Sequence, residues 1–410
     1  MPWNKDTPLA LLSLDGGGFR GLSSLIILER LMLEFNAIYP PPPGQQWMPY
    51  QVFDLIIGTS TGGLIALLLG RAGMSATEAK DTYLKVGPDI FTTDQTEYDW
   101  FLSGVPMFDS GRYEKIVEKI IFDKLKIANA PLIPSENLFC RTTVTTTLKD
   151  QNGNRALLLR AHSDSTDNQG NLVAGNWTIT KAALATSAAP TFFSPLDFNN
   201  RQYTDAGAAC DNNPTLLAIA EAGYIPSFSG NKIGCILSVG TGDNPGFDLP
   251  SAPPNHLLPV PTGSLQSYDE AVLSETEPVA SLASVFHEVD SWNVQAQEAK
   301  NGWLQHVKDL IKYILGYATG SARVDFTMRM GEYRNVYHRM STPGLTLKMY
   351  DASPAAIETI TTMTELYLQS PTGVAAIQKA AQVLKTRLQQ VNSAGRLPNY
   401  ETFGGKIKFV

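Results

Sequence analysis

The sequence has few cysteines, few histidines and no excess of basic residues, and each shortage excludes a class of protein. The 410 residues include three cysteines, an odd number at wide spacing, which fits neither a disulfide framework nor a zinc knuckle. The five histidines never occur at HxxxH or HExxH spacing, so no zinc motif is present. A formal net charge of −7 argues against a nucleic-acid-binding protein, which would need a basic stripe that the sequence does not show. We therefore expect no metal, no other cofactor and no nucleic-acid partner.

Long apolar runs are also missing. No segment approaches the length of apolar chain that spans a bilayer, and the N-terminus has no signal-peptide pattern. Hydrophobic residues still make up 43% of the chain against 17% charged residues, which is enough to bury a large core. The sequence predicts a cytoplasmic protein that could contact a membrane only peripherally, through apolar surface.

Two strand–turn–helix units open the chain. "LALLSL" (9–14) is an apolar run that ends at three glycines, and "GLSSLIILERLMLEF" (21–35) then has helical apolar spacing. The plan repeats with an apolar run at 52–57, a glycine-rich turn and an apolar helix that starts near Thr61. Two such units in succession predict an α/β fold with a buried, mainly parallel sheet.

Local signals predict several further elements. An Asn-Gly turn between two β-prone segments, "LFCRTTVTTTLKD" and "NRALLLRAH", indicates a hairpin. The other predicted elements are a helix capped by Asp109 or Ser110, a surface turn at 164–171, a small-residue helix stopped by Pro190, a strand within 234–242, helices at 278–315 and 354–392, and a late strand within 332–341.

The segment Gly58-Thr59-Ser60-Thr61-Gly62 matches GxSxG between a predicted strand and a predicted helix. This is the context that a nucleophile elbow requires. Small neighbours permit a sharp turn that presents Ser60 Oγ at a helix N-terminus, where amides and the helix dipole favour developing negative charge. The alternative interpretation is a tight packing turn without chemistry.

A serine nucleophile needs a base, and the sequence offers two kinds. His287, His306 and His338 lie in the helical C-terminal part, away from a recognisable strand end, and are interpreted as surface or packing residues. Asp205 follows a strand-like segment among small residues, and burial there would raise its pKa so that it could accept the serine proton. In the alternative interpretation, Asp205 is a turn residue bonded to nearby amides.

The three glycines in "DGGGFRG" are compatible with two kinds of site. GxGxxG is typical of dinucleotide binding, which also needs an acidic residue at the end of the second strand, about twenty residues on. Glu34 lies at that distance but inside the predicted helix. Because the second strand ends in the serine elbow instead, the glycine amides are predicted to bind an oxyanion.

Three motifs occur in a familiar order: "DGGGFRG" (15–21), "GTSTGG" (58–63) and "DAG" (205–207). With them the chain resembles the patatin-like phospholipases, Ser-Asp acyl hydrolases that include the calcium-independent phospholipases A2. The resemblance covers about residues 8–242, and the final helices are similar to extensions of fungal members. It implies a three-layer fold, with a central mainly parallel sheet flanked by helices and a C-terminal helical extension.

The resemblance also implies roles for individual residues. Ser60 would be the nucleophile and Asp205 the base, with no histidine or metal required. The implied oxyanion-hole residues are Gly16, Gly17 and Gly18, and the supporting residues are Arg20, Gly58, Gly62 and Gly207. Arg20 would brace the glycine loop or attract an anionic head group, and bracing is favoured. Ala206 departs from the family's glycine and would be strained if that position needed a positive φ.

The predicted function is a lipid acyl hydrolase, of phospholipase A or lysophospholipase type, acting through an acyl-enzyme. Three alternatives remain: an acyltransferase with the same dyad, a non-catalytic lipid-binding or storage protein, and an NAD-dependent enzyme. The expected organisation is a catalytic core at 8–250, a proline-rich linker or flap at 251–264, and a mainly helical extension at 265–410 packed on the core. Leu257 and Leu258 of the flap are the residues nominated for contact with a lipid surface.

Overall fold

A computed structural model describes most of the chain. It covers residues 7–93, 105–135, 140–150, 153–163, 176–209, 212–242 and 320–393. Its strands are β1 (Leu9–Leu14), β2 (Leu55–Thr59), β3 (Arg141–Asp150), β4 (Gly153–Arg160), β5 (Leu196–Phe198), β6 (Arg201–Thr204), β7 (Ile233–Val239) and β8 (Tyr337–Met340). Its α-helices are α1 (Gly21–Ile38), α2 (Pro49–Val52), α3 (Thr61–Ala66), α4 (Ala76–Ile90), α5 (Ser110–Leu125), α6 (Ile179–Ser187), α7 (Thr215–Tyr224), α8 (Gly320–Met330), α9 (Pro354–Gln369) and α10 (Pro371–Ser393).

All the strands belong to one sheet. Their order is β5-β6-β3-β2-β1-β7-β8, with β4 paired to β3 outside this order. The neighbouring strands in the run β3-β2-β1-β7-β8 are parallel to one another. The remaining pairs, β3 with β4, β3 with β6 and β5 with β6, are antiparallel. The predicted mainly parallel sheet is therefore confirmed. Because Leu14 pairs with Gly58 in parallel, the loop after β1 and the turn after β2 leave the same edge side by side.

The sheet lies between two hydrophobic cores. Every residue of β1 is buried, and successive side chains of a strand point to opposite faces. Leu9 and Leu11 join a core with α7 and α8, while Leu12 and Leu14 join a larger core with α1, α4, α5, α6, α9 and α10. Helices thus cover both faces, as the continuous apolar pattern of a parallel strand requires. The three-layer prediction is confirmed.

The C-terminal helices are tied to the start of the sheet. Both α9 and α10 pack against α1, and Arg387 of α10 is buried. Its guanidinium donates to the carbonyl oxygens of Pro8 (3.1 Å) and Val52 (2.9 Å) and to the carboxylate of Asp54. This ion pair fixes α10 at the edge where β1 and β2 begin, opposite the edge where they end.

Several local predictions are confirmed. Asp109 caps α5, because its carboxylate accepts hydrogen bonds from the N–H groups of Gly111 and Arg112. The hairpin forms from β3 and β4, whose last pair is Asp150 with Gly153. The late strand is β8, which extends the sheet beside β7, and the helices predicted at 354–392 are α9 and α10.

Two details of the sequence prediction are wrong. The strand predicted from residue 52 begins only at Leu55, because Pro49 starts the short helix α2, which ends at Val52. The placement of His338 in the helical C-terminal part is wrong, because it belongs to β8, opposite Leu237, and is buried as a packing residue. The position of His338 follows from the pairing of β8 with β7, two strands that are distant in sequence.

Some predicted segments lie outside the described residues. These are the turn at 164–171, the flap at 251–264 and the helix at 278–315. Within the described ranges, no helix combines the length and the apolarity needed to cross a membrane.

Candidate active site

The turn between β2 and α3 holds Ser60 in a conformation that residues other than glycine rarely adopt. Its φ is 56° and its ψ is −126°. The Ser60 N–H donates to Thr186 Oγ1 at 2.9 Å, which fixes the turn against α6. A β-carbon on Gly58 would overlap the carbonyl of Gly62, and one on Gly62 would overlap the carbonyl of Leu14. Both glycines are therefore required, and the turn has the geometry of a nucleophile elbow.

Asp205 faces this serine from the end of β6. It is 4% exposed, and its carboxylate accepts a hydrogen bond from the Gly207 N–H at 2.7 Å and lies close enough to the Ser60 hydroxyl for that group to stabilise its charged form. Desolvation raises the pKa of Asp205 from its ordinary value of 3.8 to about 6, although the interactions with the Ser60 hydroxyl and the Gly207 N–H oppose that rise. The Asp205 N–H donates to the carbonyl of Ala188 at 3.0 Å. The structure thus brings together a serine hydroxyl and a buried carboxylate that can accept its proton.

Ala206 does not disturb this arrangement. It is fully buried, and it is not among the described residues with a positive φ. The tighter position is Gly207, where a β-carbon would lie 3.1 Å from Asp205 Oδ1 and 3.1 Å from Asn212 Oδ1. Alanine at 206 therefore adds no backbone strain, and the reason for suspecting a vestigial site disappears.

The glycine loop after β1 lies beside Ser60 and keeps two N–H groups free. The Gly16 N–H donates to the carbonyl of Asn212 at 3.1 Å, so it is not available to a ligand. Across the described part of the chain, the N–H groups of Gly17 and Gly18 have no protein acceptor, and both residues line the same cleft as Ser60. Of the three glycines predicted for the oxyanion hole, Gly17 and Gly18 therefore retain donors and Gly16 anchors them.

Neighbouring side chains hold the carbonyl groups of this loop. Thr241 Oγ1 and Asn212 Nδ2 donate to the carbonyl of Gly16 at 2.8 and 3.3 Å. The hydroxyl of Tyr83 donates to the carbonyl of Gly18 at 2.7 Å. Because a peptide unit is planar, the bonds to the Gly16 carbonyl fix the orientation of the Gly17 N–H. The bond from the Arg20 N–H to the Gly17 carbonyl fixes that of the Gly18 N–H in the same way.

Arg20 follows directly after the loop and is 6% exposed. Its N–H donates to the carbonyl of Gly17 at 3.2 Å. The Arg20 side chain is thus withdrawn from solvent, and its role as a brace of the loop stays a prediction.

The glycines of the loop are packed differently from those of a dinucleotide site. A β-carbon on Gly17 would overlap Thr241, and one on Gly18, whose φ is +57°, would overlap the carbonyl of Met349. The glycines are needed for close packing of protein on protein, whereas a Rossmann site needs them for approach of a pyrophosphate.

An apolar cleft opens in front of Ser60. It has about 840 Å³ of empty space, a volume that includes the solvent at its open mouth. Its apolar lining includes Leu64, Ile90, Phe91, Phe192, Phe193, Met349 and Tyr350. Such a lining suits a hydrocarbon chain, with polar chemistry confined to the end that holds Ser60 and Asp205.

Two buried tyrosines border the polar end of the cleft. The hydroxyl of Tyr113 is 3.0 Å from Ser187 Oγ, and that of Tyr83 is 2.6 Å from Thr61 Oγ1. Desolvation, with a smaller effect of the Asp205 charge, raises the pKa of Tyr113 to about 12. Both tyrosines therefore serve as neutral hydrogen-bonding groups at physiological pH.

The described histidines lie elsewhere. His162 Nε2 is 3.2 Å from Glu221 Oε1, and Glu221 also binds Arg160 at 2.7 Å through each of its oxygens. His338 lies in β8, where desolvation lowers its pKa. Neither histidine lines the cleft. In the part of the chain that the structure describes, no group of three or more His, Cys, Asp or Glu side chains is placed to hold a metal ion.

Several residues of the site had no sequence signal of their own. Asn212 follows Asp205 by seven residues in "DAGAACDNNP". Its amide could therefore have been considered as a further residue of the site. The contributions of Tyr83, Thr241 and Met349 arise from other parts of the chain. No motif marks these three positions, because only the packing of α4, β7 and the segment after β8 brings them to the loop.

A model of one family matches the region that carries this geometry. The model, described as patatin-like phospholipase, matches residues 12–219, which is half of the chain. The chain belongs to the patatin-like phospholipase family. The matched region includes the glycine loop, the elbow with Ser60, and Asp205.

Named relatives are similar to parts of this chain. The calcium-independent phospholipase A2-gamma of Rattus norvegicus is 29% identical over 245 residues, covering 58% of this chain and 29% of that protein. Patatin-like protein 2 of Arabidopsis thaliana is 32% identical over 229 residues, covering 52% of each chain. The cGAMP-activated phospholipase of Vibrio cholerae is 31% identical over 223 residues, covering 52% of this chain and 57% of that protein. The chain thus spans between 29% and 57% of the length of these relatives.

Proposed function

We propose that this chain is a lipid acyl hydrolase, of phospholipase A or lysophospholipase type, with Ser60 as nucleophile and Asp205 as base. The observation that carries the proposal is the contact between the strained Ser60 and a buried carboxylate, beside the two free N–H groups of Gly17 and Gly18. Membership of a phospholipase family and an apolar cleft support a lipid substrate.

In the first half-reaction, Ser60 Oγ attacks the acyl carbonyl while its proton passes to the Asp205 carboxylate. The carbonyl oxygen becomes negative and accepts hydrogen bonds from Gly17 and Gly18, each of which is worth about 100-fold or more in rate in comparable sites. When the intermediate collapses, the bond to the alcohol oxygen breaks and that oxygen takes the proton from Asp205. The products are a free alcohol or lysolipid and an acyl ester on Ser60.

In the second half-reaction, Asp205 takes a proton from water as the water oxygen attacks the acyl ester. Collapse of this intermediate breaks the bond to Ser60 Oγ, which takes the proton back and releases the fatty acid. The same carboxylate therefore serves both steps, and no histidine is needed. We propose that the enzyme works without calcium, as the name of the rat relative states for that protein, and acts in the cytoplasm with peripheral contact to lipid.

The test is product analysis on vesicles of a phosphatidylcholine with two different acyl chains, in buffer made with ¹⁸O-labelled water and an added alcohol. Hydrolysis predicts equal amounts of lysolipid and fatty acid, with one ¹⁸O in the fatty acid. Transfer of the acyl chain mainly to the added alcohol would identify an acyltransferase instead. If the wild-type protein forms neither the hydrolysis products nor the transfer product, and so behaves like the Ser60→Ala variant, the result would favour a lipid-binding protein.

The pH dependence of kcat/KM should follow the ionisation of Asp205. Only the ionised carboxylate can accept the serine proton, so kcat/KM should rise through an apparent pKa of about 6 and level off above it. At pH 5 the rate constant should be about tenfold below the plateau. A soluble ester substrate and a constant ionic strength make the measurement independent of vesicle charge. A profile that is flat between pH 5 and pH 8 would contradict this role for Asp205.

A further inference from the structure

A second buried carboxylate lies next to the glycine loop. Asp15 is the residue between β1 and Gly16, and its side chain is 2% exposed. Its Oδ1 accepts a hydrogen bond from Arg339 Nη1 at 2.8 Å, and its Oδ2 accepts from Arg339 Nη2 at 2.6 Å and from Ser321 Oγ at 2.7 Å. Three donors thus hold this carboxylate through both of its oxygens, and it is not among the residues that line the cleft in front of Ser60.

Arg339 reaches Asp15 from β8 by crossing β7. In the sheet Arg339 is paired with Ser238, and Ser238 is paired with Ser13 of β1. Arg339 Nη1 also donates to Ser238 Oγ at 2.8 Å, so the intervening strand supports the side chain as it crosses. A β-carbon on Gly240 would lie 2.5 Å from Arg339 Nη2. Small residues on β7 and directly after it therefore leave a path for the guanidinium.

The electrostatics agree with a permanent ion pair. Desolvation alone would lower the pKa of Arg339, but the nearby charge of Asp15 and its hydrogen bonds outweigh this and raise the pKa above its ordinary value. A planar guanidinium bound through two nitrogens also fixes the orientation of the carboxylate, which a single ammonium group cannot do.

The same C-terminal segment holds the other end of the loop. The N–H of Phe19 donates to the carbonyl of Met349. Arg339 and Met349 thus hold the residues on either side of Gly17 and Gly18. Both lie beyond residues 12–219, the part of the chain that matches the family model.

We propose that Arg339 is a positioning residue that sets the geometry of the oxyanion hole through Asp15. This inference rests on the proposed function, because it assigns the Gly17 and Gly18 N–H groups to the oxyanion. Arg339 itself touches no reacting atom. A displacement of the loop by a fraction of an ångström should weaken transition-state stabilisation more than substrate binding.

The chain provides a matched control for an arginine variant. Arg387 and Asp54 form another buried ion pair made by the C-terminal segment, at the edge of the sheet where β1 and β2 begin. The variants Arg339→Met and Arg387→Met each leave one buried carboxylate without its arginine. A purely structural effect should therefore be similar in the two, and an effect on the oxyanion hole should appear only in the first.

The experiment compares kcat, KM, the rate of fluorophosphonate labelling and thermal unfolding for the full-length variants. For Arg339→Met we expect kcat and the labelling rate to fall about 100-fold with KM changed less than about threefold. For Arg387→Met we expect lower thermal stability and a kcat within about threefold of the wild type. Equal kcat losses in the two variants, or a KM effect alone for Arg339→Met, would overturn the proposal.

Two more variants cover a failure of Arg339→Met to fold. The double variant Asp15→Asn with Arg339→Met removes both charges, so its stability should recover towards that of the wild type while kcat stays low. Recovery of kcat together with stability would show a merely structural pair. Arg339→Lys keeps the charge but loses the second donor nitrogen, and we expect about a tenfold loss of kcat. If the wild-type protein shows neither labelling nor turnover, the proposed function fails, which is a different result from an active wild type with unaffected Arg339 variants.

Discussion

Replacing Asp205 with asparagine should reduce turnover by roughly a thousandfold or more and at the same time stabilise the fold. An amide cannot accept the Ser60 proton, and loss of a positioned general base typically costs between a hundred- and ten-thousandfold. Asparagine has almost the same shape, so its oxygen can still accept the hydrogen bond from the Gly207 N–H. The activity loss should therefore not be accompanied by unfolding.

The gain in stability follows from the pKa of Asp205. Burial raises this pKa from 3.8 to about 6, so the folded protein binds the proton more tightly than the unfolded chain. The favourable contribution is complete below pH 4 and is lost as the pH rises through 6, above which the fold contains a desolvated charge. Since a tenfold change in proton affinity corresponds to ~1.4 kcal/mol, that charge costs on the order of 3 kcal/mol. Asparagine removes this cost.

Thermal unfolding at pH 8 and at pH 5 measures this difference. We expect Asp205→Asn to melt a few degrees above the wild type at pH 8, with a smaller difference at pH 5. The exposed Asp197 of β5 provides the control: Asp197→Asn should change neither turnover nor the melting temperature appreciably. Wild-type turnover in Asp205→Asn would rule out Asp205 as the base.

Ser60→Ala should abolish covalent labelling by a fluorophosphonate and reduce turnover by on the order of a millionfold. The reagent forms a bond from Ser60 Oγ to phosphorus and expels fluoride, so the wild-type protein should gain the mass of one adduct. Ser60 lies against the Asp205 carboxylate and lines the same cleft as Gly17 and Gly18, whose N–H groups are proposed to bind the developing oxyanion. Alanine leaves Asp205 and the glycine loop in place but provides no nucleophile.

Intact-protein mass after exposure to the reagent gives the answer directly. Ser229, exposed and placed after the short 3₁₀ turn that follows α7, provides the matched control. Ser229→Ala should be labelled at the wild-type rate, and Asp205→Asn should be labelled much more slowly. An adduct that persists on Ser60→Ala would place the reactive group elsewhere and remove the basis of the proposed mechanism.

The sequence alone was sufficient for the parts of the site that are local in the chain. The turn that holds Ser60 depends on glycines within two residues of it, and the loop beside that turn depends on the consecutive glycines that follow Asp15 at the end of β1. Strand, turn and helix follow one another without interruption in both units, so periodicity and glycine spacing determine them. Asp205 could be nominated for the same reason, because small residues surround it in the sequence.

Tertiary structure decided the properties that depend on residues far apart in the chain. The pKa of Asp205 follows from burial, and burial is set by the packing of the sheet and the helices around it. The Gly16 N–H is occupied by a hydrogen bond to the carbonyl of Asn212, and Asp15 is anchored by Arg339 on a strand 324 residues later. Hydrogen bonds and desolvation act over a few ångströms in space, so only the folded chain shows which distant residues they join.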